Sequence, residues 1–469
     1  MPSVADVTHL LRRTEFVARP ARVAELAALP DIGAAVDNVL AVPGNPPSVQ
    51  WGAPVDSLRV VELTDFWFDR MAHDSPRPIQ ERMALFWHGH FVSSNAKVGN
   101  LELMRRQIDL YRAQGLGNFR DLAIQMSTTA AMLRYLDNNQ NYIGSPNQNF
   151  GRELMELFVL GVGNYTEDDV VACSEAWTGH TDIYRPDVNG QQTQYDHGVS
   201  DYAFHGFAHE PGTRTLLGRT INAGADPSQH GAETIRTMIG DPASIGGVNP
   251  AGRPTREVAA DFISTKLWRF FAGPDPSATV LAALRQAAIG GDFDLKPWLR
   301  ALLTHPEFYS SAVKQGLVRA PTDYLVALLA ASGLRSTVGN PWWLLDGMGQ
   351  RLLFPPNVSG WGHNGAWIGA SGFGRRAAVA QHVAYYVLGD YWDGAGMRLA
   401  TDVIPRSAAE EAEGADARRA FVSRILAGMQ ISVGSVTRAA LDEFAVNAAW
   451  HELHDVVQLI FVSPEMSLA

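Results

Sequence analysis

The chain has 469 residues, of which 46% are hydrophobic and 19% charged, and this balance is typical of a folded globular protein with a sizeable core. The formal net charge of −11 disfavours nucleic acid as a partner, because an acidic surface repels phosphate backbones. The single cysteine, Cys173, excludes an intrachain disulfide and any cysteine-rich zinc or iron–sulfur centre. There is no apolar leader and no stretch near the roughly 18 apolar residues of a membrane helix, so we expect a cytoplasmic protein, as given, without membrane association.

Apolar residues three and four positions apart recur through most of the chain, which predicts a mainly α fold. The Thr166-Glu167-Asp168-Asp169 run supports one helix start, since a hydroxyl followed by acids favours a helix N-terminus. The predicted helices cover residues 57–72, 76–88, 101–113, 166–177, 254–271, 293–302 and 321–333.

Two regions lack the helical pattern. Residues 181–230 are rich in Gly, Tyr, Thr and Asp and predict a short β-hairpin excursion near 181–220. Residues 341–368 contain Pro-Pro, several glycines and four tryptophans, which predict a long, ordered aromatic loop. The expected architecture is a multi-helical single fold with a core domain at 1–375 and a C-terminal helical segment at 376–469 packed on it.

The segment 149–161, NFGRELMELFVLG, combines apolar residues in nearly every helical direction with three charged ones, and we expect a buried helix. Asn149, Glu153 and Glu156 project to one side of it. Buried carboxylates need a partner, because an unpaired buried charge costs several kcal/mol. That partner is either a cation such as Arg152, a structural role, or a metal ion, since carboxylates one turn apart recur in metal sites.

His88 and His90 lie in the apolar segment 76–94 and are expected to be buried. On a continuous helix they diverge by about 200°, but Gly89 offers a place to unwind so that both can face the same way. With two glutamates they supply four ligands of a type that iron, manganese or zinc accepts. The alternative is that both are hydrogen-bonded core residues.

Other candidates lie in the irregular regions. His209 and His180 border the predicted hairpin and are possible members of a site. Trp361, His363 and Trp367 are suited to stacking on a glycan or an aromatic substrate, although a packed plug is the alternative. No phosphate-binding loop, dinucleotide fingerprint, serine-hydrolase elbow or zincin motif is present, so we expect no nucleotide cofactor.

The sequence resembles a large bacterial family known only as domain of unknown function number eighteen hundred. This resemblance implies a mainly helical single fold and no established activity; relatives often look secreted and are often encoded beside a sulfatase-like family, a possible partner. The chain departs from the family at His180, where Trp is common, and at Glu210, where Asp is common. The matching stretches are HLLRRTEF at 9–16, ERMALFWHGHFVSS at 81–94, the blocks 116–141 and 146–180, HEPGTRTLLG at 209–218, ISTKLWRFF at 263–271 and FPPNVSGWGHNGAWI at 354–368.

Two classes of function follow from these patterns. The first is a metal-dependent oxidoreductase or hydrolase acting on a polar small molecule, with the variant of a metal-free enzyme that uses the same carboxylates as acid and base. The second is a non-catalytic binding or scaffolding protein whose aromatic loop binds a glycan or a protein partner. In the first class the metal ligands are His88, His90, Glu153 and Glu156, the catalytic residues Arg152 and His209, and the substrate-binding residues Asn149, Trp361, His363 and Trp367.

Overall fold

The computed structural model describes residues 1–42, 60–185, 199–224, 226–241, 244–314, 316–336, 341–367, 369–388, 413–429, 431–449, 452–453 and 455–469. Within these ranges the chain is mainly helical, as predicted, and its strands form two short antiparallel hairpins. No helix in this part of the protein is long and apolar enough to cross a membrane.

In the described part of the chain eleven α-helices precede the first strand, and π-helical turns follow two of them at Arg70–Asp74 and Leu154–Val159. They are α1 (Val4–Thr14), α2 (Pro20–Ala27), α3 (Ile32–Leu40), α4 (Val60–Asp69), α5 (Pro78–His90), α6 (Asn95–Val98), α7 (Leu101–Gln114), α8 (Phe119–Ser127), α9 (Ala130–Tyr135), α10 (Gln148–Glu153) and α11 (Glu167–Ala176).

The two hairpins lie where the sequence predicts them. Strand β1 (His180–Arg185) pairs with β2 (Val199–Phe204), with His180 opposite Phe204. Strand β3 (Arg214–Leu216) pairs with β4 (Arg219–Ile221) in a tighter turn. Residues 186–198 lie outside the described part of the chain.

The second half of the chain is again helical. Helix α19 crosses the boundary expected at 375/376 and packs against α17, α18 and α22, so the C-terminal helices share the core of the preceding ones. These helices are α12 (His230–Ile239), α13 (Thr255–Ala272), α14 (Ala278–Gly290), α15 (Leu295–Thr304), α16 (Ser311–Lys314), α17 (Pro321–Ser332), α18 (Pro341–Met348), α19 (Ala370–Leu388), α20 (Ala415–Gly428), α21 (Ser435–Asn447), α22 (Asp455–Val462) and α23 (Pro464–Ser467).

The predicted helices between residues 76 and 333 are all present, with ends shifted by no more than two residues. Residues 57–59 of the first predicted helix lie outside the described ranges, and its end continues as the π-helical turn at 70–74. The aromatic loop expected at 341–368 is partly helical: Pro341 begins α18, which packs against α4 and buries Leu344 and Leu345. A proline in the first turn favours this start because its missing N–H is not needed there.

Helix α5 lies at the centre of the core. Every residue from Ile79 to His88 is buried, including Glu81 and Arg82. Glu81 accepts hydrogen bonds from Trp67 Nε1 at 3.0 Å, from Arg70 Nε at 2.8 Å and from Arg112 Nε at 2.8 Å. These contacts connect α4, the following π-helical turn and α7 to one carboxylate.

The ion pairs of Glu81 generate a stability prediction. Glu81→Gln removes the buried negative charge, which leaves Arg70 without its counter-charge and Arg112 with Asp109 alone, so we expect a loss of about 3–5 kcal/mol in the free energy of unfolding. Chemical denaturation monitored by circular dichroism measures it. The control is Asp37→Asn at the exposed Asp37–Arg300 pair, which should cost less than about 1 kcal/mol. Equal losses in the two variants would contradict the role of Glu81.

Buried histidines generate a pH prediction. Desolvation lowers the pKa of His9, His88 and His180 to about 3. In the unfolded chain a histidine takes up a proton near pH 6.5, so below that pH the unfolded state binds more protons than the folded state. The free energy of unfolding therefore decreases as the pH is lowered. We expect each of the three histidines to lower the free energy of unfolding by up to about 1.4 kcal/mol per pH unit.

Urea unfolding between pH 6.5 and 5 measures this slope in a range where most carboxylates stay ionised. His180→Gln removes one of the three titrations, so the slope should correspond to about one proton fewer. A stability that is flat across this range would show that these histidines are protonated in the folded protein.

Candidate functional site

His88 and His90 do not face the same way, because α5 continues to His90 without unwinding at Gly89. The unwinding predicted at Gly89 is therefore wrong. Close packing requires glycine at Gly360 rather than at Gly89: a Cβ on Gly360, whose φ is +79°, would lie 2.7 Å from the Gly89 carbonyl oxygen, whereas a Cβ on Gly89 would meet only Trp361, at 4.0 Å. The aromatic loop thus rests directly on the backbone of α5.

His88 is a core residue. It is fully buried, its Nε2 accepts a hydrogen bond from the backbone N–H of Leu353 at 3.1 Å, and its ring lies between those of Trp67 and Trp361. Its Nδ1 has no hydrogen-bond partner among the described residues. Because the lone pair on Nε2 is already engaged, His88 is a poor metal ligand here.

His90 connects two elements that surround a cavity. Its Nε2 lies 3.0 Å from the carbonyl oxygen of Phe158 and its Nδ1 lies 3.2 Å from Lys266 Nζ. A carbonyl accepts only, so Nε2 carries the proton and Nδ1 accepts from the lysine. Burial, and then the charge of Lys266, hold the pKa of His90 well below its usual value.

The segment 149–161 is not the fully buried helix that the sequence predicts. Helix α10 ends at Glu153 and continues as a π-helical turn, in which Leu160 N–H donates to the Met155 carbonyl. Asn149 is exposed, and the charged side chains are partly exposed because this side of the helix lies at the molecular surface. Most apolar residues of the π-helical turn are buried, whereas Leu157 is half-buried.

The charged residues of this segment have protein partners. Arg152 donates two hydrogen bonds to the carboxylate of Glu167, at 2.8 and 2.7 Å, on the surface. Glu156 accepts a hydrogen bond of 2.6 Å from the Tyr165 hydroxyl. Desolvation, and then the charge of Glu156, raise the pKa of Glu153. Arg152 therefore pairs with Glu167 and not with Glu153 or Glu156, and the partner of Glu156 is a hydroxyl rather than the cation of the structural alternative.

The four predicted ligands do not assemble into a metal-binding group. Among the described residues, which include all four, no three His, Cys, Asp or Glu side chains are placed to hold an ion. The helical conformation of Gly89 separates His88 from His90, and both ring lone pairs already accept hydrogen bonds. The donor set therefore does not fit an iron, manganese or zinc ion in this arrangement.

His209 belongs to a second, separate histidine cluster. Its Nδ1 lies 2.8 Å from the Thr178 carbonyl oxygen and its Nε2 lies 2.9 Å from His230 Nδ1. His180 bonds the Tyr202 hydroxyl at 2.9 Å through Nδ1. The contact of His180 with Tyr202 joins the two strands of the β1–β2 hairpin. His209 does not border the cavity next to His90.

That cavity, of about 330 Å³, lies between α5, the π-helical turn at 154–159, α13 and the aromatic loop. Five residues that the sequence singled out border it: His90, Glu156, Trp361, His363 and Trp367. Rings cover much of its wall, since Phe86, Phe262 and Phe270 join the two tryptophans. His88, Asn149, Arg152, Glu153 and His209 do not border it.

Lys266 on α13 is the cavity residue that sequence reasoning missed. Its Nζ donates to the Leu157 carbonyl oxygen at 2.7 Å and to His90 Nδ1 at 3.2 Å, and it lies 4.6 Å from the centre of the Phe262 ring. Desolvation, and then Arg269, lower its pKa to about 8. Among the described residues it has no carboxylate partner.

A signal for Lys266 exists in the sequence. The chain has four lysines, and the other three are Lys97, Lys296 and Lys314. Lys97 pairs with Asp137 and Lys314 with Asp6. Lys266 alone lies in a strongly apolar run, ISTKLWRFF, and a lysine in such a run is expected to be desolvated.

Comparison with known proteins gives a family but no activity. No curated protein and no solved structure matches the chain. A family model described as "Protein of unknown function (DUF1800)" matches residues 9–468, which is nearly the whole chain and confirms the resemblance seen in the sequence. The chain therefore belongs to this family of proteins of unknown function.

Proposed function

We propose that the protein is an enzyme that binds a small organic molecule in the aromatic cavity and uses Lys266 as its reactive amine. The observation that carries this proposal is the position of Nζ: it borders an apolar cavity and is held by two neutral acceptors, with no carboxylate partner in the described part of the chain. A concave, mostly apolar pocket with a few convergent polar groups is the usual form of a small-molecule site.

The environment of Lys266 favours its uncharged form. With a pKa of about 8, roughly a quarter of the amine is neutral at pH 7.5, against about one part in a thousand for an ordinary lysine. A neutral amine can attack a carbonyl carbon; the carbonyl oxygen then leaves as water together with the two amine protons, which gives a neutral imine. The same amine can also act as a general base.

His90 and Leu157 position this amine. Because His90 is itself hydrogen-bonded to the Phe158 carbonyl, its ring cannot rotate without breaking that contact, and Nδ1 presents a fixed acceptor to Lys266. The π-helical turn supplies the second acceptor, the Leu157 carbonyl. His90 is thus a positioning residue in this proposal, while the rings of Trp361 and Trp367 supply apolar surface for the substrate.

The other functions considered from the sequence have less support. The metal-dependent oxidoreductase or hydrolase stays a prediction, and the arrangement of its four ligands does not favour it. Trp361, a ring that the sequence suggested for stacking on a glycan, is only 8% exposed and lines the cavity, so it does not favour a glycan- or protein-binding surface at this position. A small molecule inside the cavity fits the placement of this ring better.

Aldehyde labelling tests the proposal. Pyridoxal and sodium cyanoborohydride at pH 7.5 should reduce an imine onto Lys266 at least about ten times faster than onto Lys97, Lys296 or Lys314, because its amine is neutral far more often. Peptide mass spectrometry measures all four sites. Lys266→Arg keeps the positive charge and should abolish only that label, while Lys97→Arg is the matched control.

Two further results decide this experiment. Labelling of Lys266 should follow a titration near pH 8, and His90→Asn should shift it, as expected for a positioning residue. Uniform labelling of the four lysines, or a Lys266 that reacts slowest of all, would overturn the proposed role.

Elemental analysis tests metal dependence separately. We expect protein purified without chelator to hold much less than one equivalent of iron, manganese or zinc at the predicted residues, because His88, His90, Glu153 and Glu156 are not grouped. Inductively coupled plasma mass spectrometry measures the content of the wild type and of Glu153→Gln/Glu156→Gln. A stoichiometric metal that disappears in the folded double variant would instead establish the site predicted from the sequence.

A further inference from the structure

A second cavity, of about 310 Å³, lies at the N-terminus of α19. Its wall includes Gly369, Ser371 and Gly372 from the first turn of the helix and the side chains of Arg375 and Arg376 one turn later. Trp367 borders this cavity and also the cavity of Lys266. The two spaces are therefore neighbours on either side of one tryptophan.

The N-terminus of α19 borders this space. Phe373 N–H donates to the Gly369 carbonyl at 2.9 Å, and the first N–H groups of an α-helix have no carbonyl partner within the helix itself. At Gly369 a Cβ would meet only the Ser371 hydroxyl, at 3.9 Å, so the backbone there is accessible to a ligand. Such a helix end carries a partial positive charge that favours anions.

Arg376 gives an independent indication of an anionic ligand. It is only 5% exposed and borders the cavity, yet it forms no ion pair with any described residue. Its Nη2 donates to the Arg319 carbonyl and its guanidinium lies 4.9 Å from the Tyr324 ring centre, while Nη1 is buried and has no hydrogen-bond partner among the described residues. The charge of Asp323 acts on Arg376, but Asp323 forms its ion pair with Arg82, and burial still lowers the pKa of Arg376. A bound anion would compensate this buried charge directly.

The charges around the cavity have the matching sign. Arg375, which is exposed and donates to the Gly347 carbonyl, adds a second guanidinium, against one acidic side chain, Asp346. Arg319 lies behind Arg376 with its pKa lowered to about 9, first by desolvation and then by neighbouring arginines. Positive charge therefore exceeds negative charge in and behind the wall.

We infer that this cavity binds a tetrahedral oxyanion, the phosphate or sulfate ester group of a small molecule. The first turn of α19 supplies backbone donors, and the guanidinium groups of Arg375 and Arg376 supply charged donors with the forked geometry such groups accept. The volume exceeds that of a bare ion, so an organic part of the ligand is accommodated as well. This site does not depend on the proposed role of Lys266.

Isothermal titration calorimetry of the full chain tests the inference with phenyl phosphate and phenyl sulfate as probes and with phenol as the uncharged control. Both esters, or the one that the site prefers, should bind, and added sodium chloride should weaken binding. Phenol should not bind at the same affinity. Binding of phenol as tightly as the esters, or no binding of either ester, would overturn the inference.

Three variants locate the binding. Arg376→Gln should weaken ester binding at least about tenfold, since a charged hydrogen bond is lost. Asp346→Asn should strengthen it, because one repulsive charge is removed, and this variant changes an exposed residue, so the test survives even if Arg376→Gln fails to fold. Arg300→Gln, at an exposed arginine on α15, is the matched control and should leave binding unchanged.

Thermal unfolding distinguishes a ligand-binding arginine from a purely structural one. With phenyl phosphate the wild type should gain thermal stability, whereas Arg376→Gln should gain none relative to its own ligand-free state. Ester affinities that are the same in the wild type, Arg376→Gln and Asp346→Asn would show that the anion binds elsewhere.

Discussion

The carboxylate of Glu81 is the interaction on which the arrangement of the core depends. It is fully buried, and three donors from α4, the π-helical turn at 70–74 and α7 converge on it. A buried charge of this kind tolerates few alternative geometries, because each lost donor leaves the carboxylate partly unsatisfied. Helix α5 is thereby fixed in rotation and position, and with it the direction in which His88 and His90 point.

The interior of this protein is unusually rich in arginine. The chain has 38 cationic residues and four of them are lysines, so 34 are arginines. Arg13, Arg82, Arg319 and Arg376 are buried, and Arg82 pairs with the carboxylate of Asp323. A delocalised, weakly hydrated guanidinium is less costly to bury than an ammonium group. The few lysines therefore stand out, and Lys266 stands out among them because it faces a cavity.

The two cavities share Trp367, and their chemistry is complementary. One combines an aromatic wall with the amine of Lys266, and the other combines a helix N-terminus with Arg375 and Arg376. Both are built on the aromatic loop, which approaches α5 closely at Gly360. The fixed orientation of α5 thus affects both cavities. Helix α5 supplies His90 to the cavity of Lys266, and it supplies the surface against which the aromatic loop beside the cavity of Arg376 packs.

The sequence by itself determined the helical class, most helix positions and the hairpin region, because apolar periodicity and capping residues act over a few neighbouring positions. Thr166 illustrates this, since its hydroxyl and the Asp169 side chain form the reciprocal cap that the pattern indicates. It also identified His90, Glu156, Trp361, His363 and Trp367, which meet at one cavity. The grouping of those residues was decided by tertiary structure.

Only the fold decided that Gly89 stays helical, that Asn149 is exposed and that Lys266 reaches His90. The residues of the last pair are 176 positions apart, and no local pattern encodes their contact. Periodicity reports which side of a helix is apolar, but it does not report which polar atoms from distant helices meet there. That is set by how buried charges such as Glu81 and rings such as Trp361 fix the helices against one another.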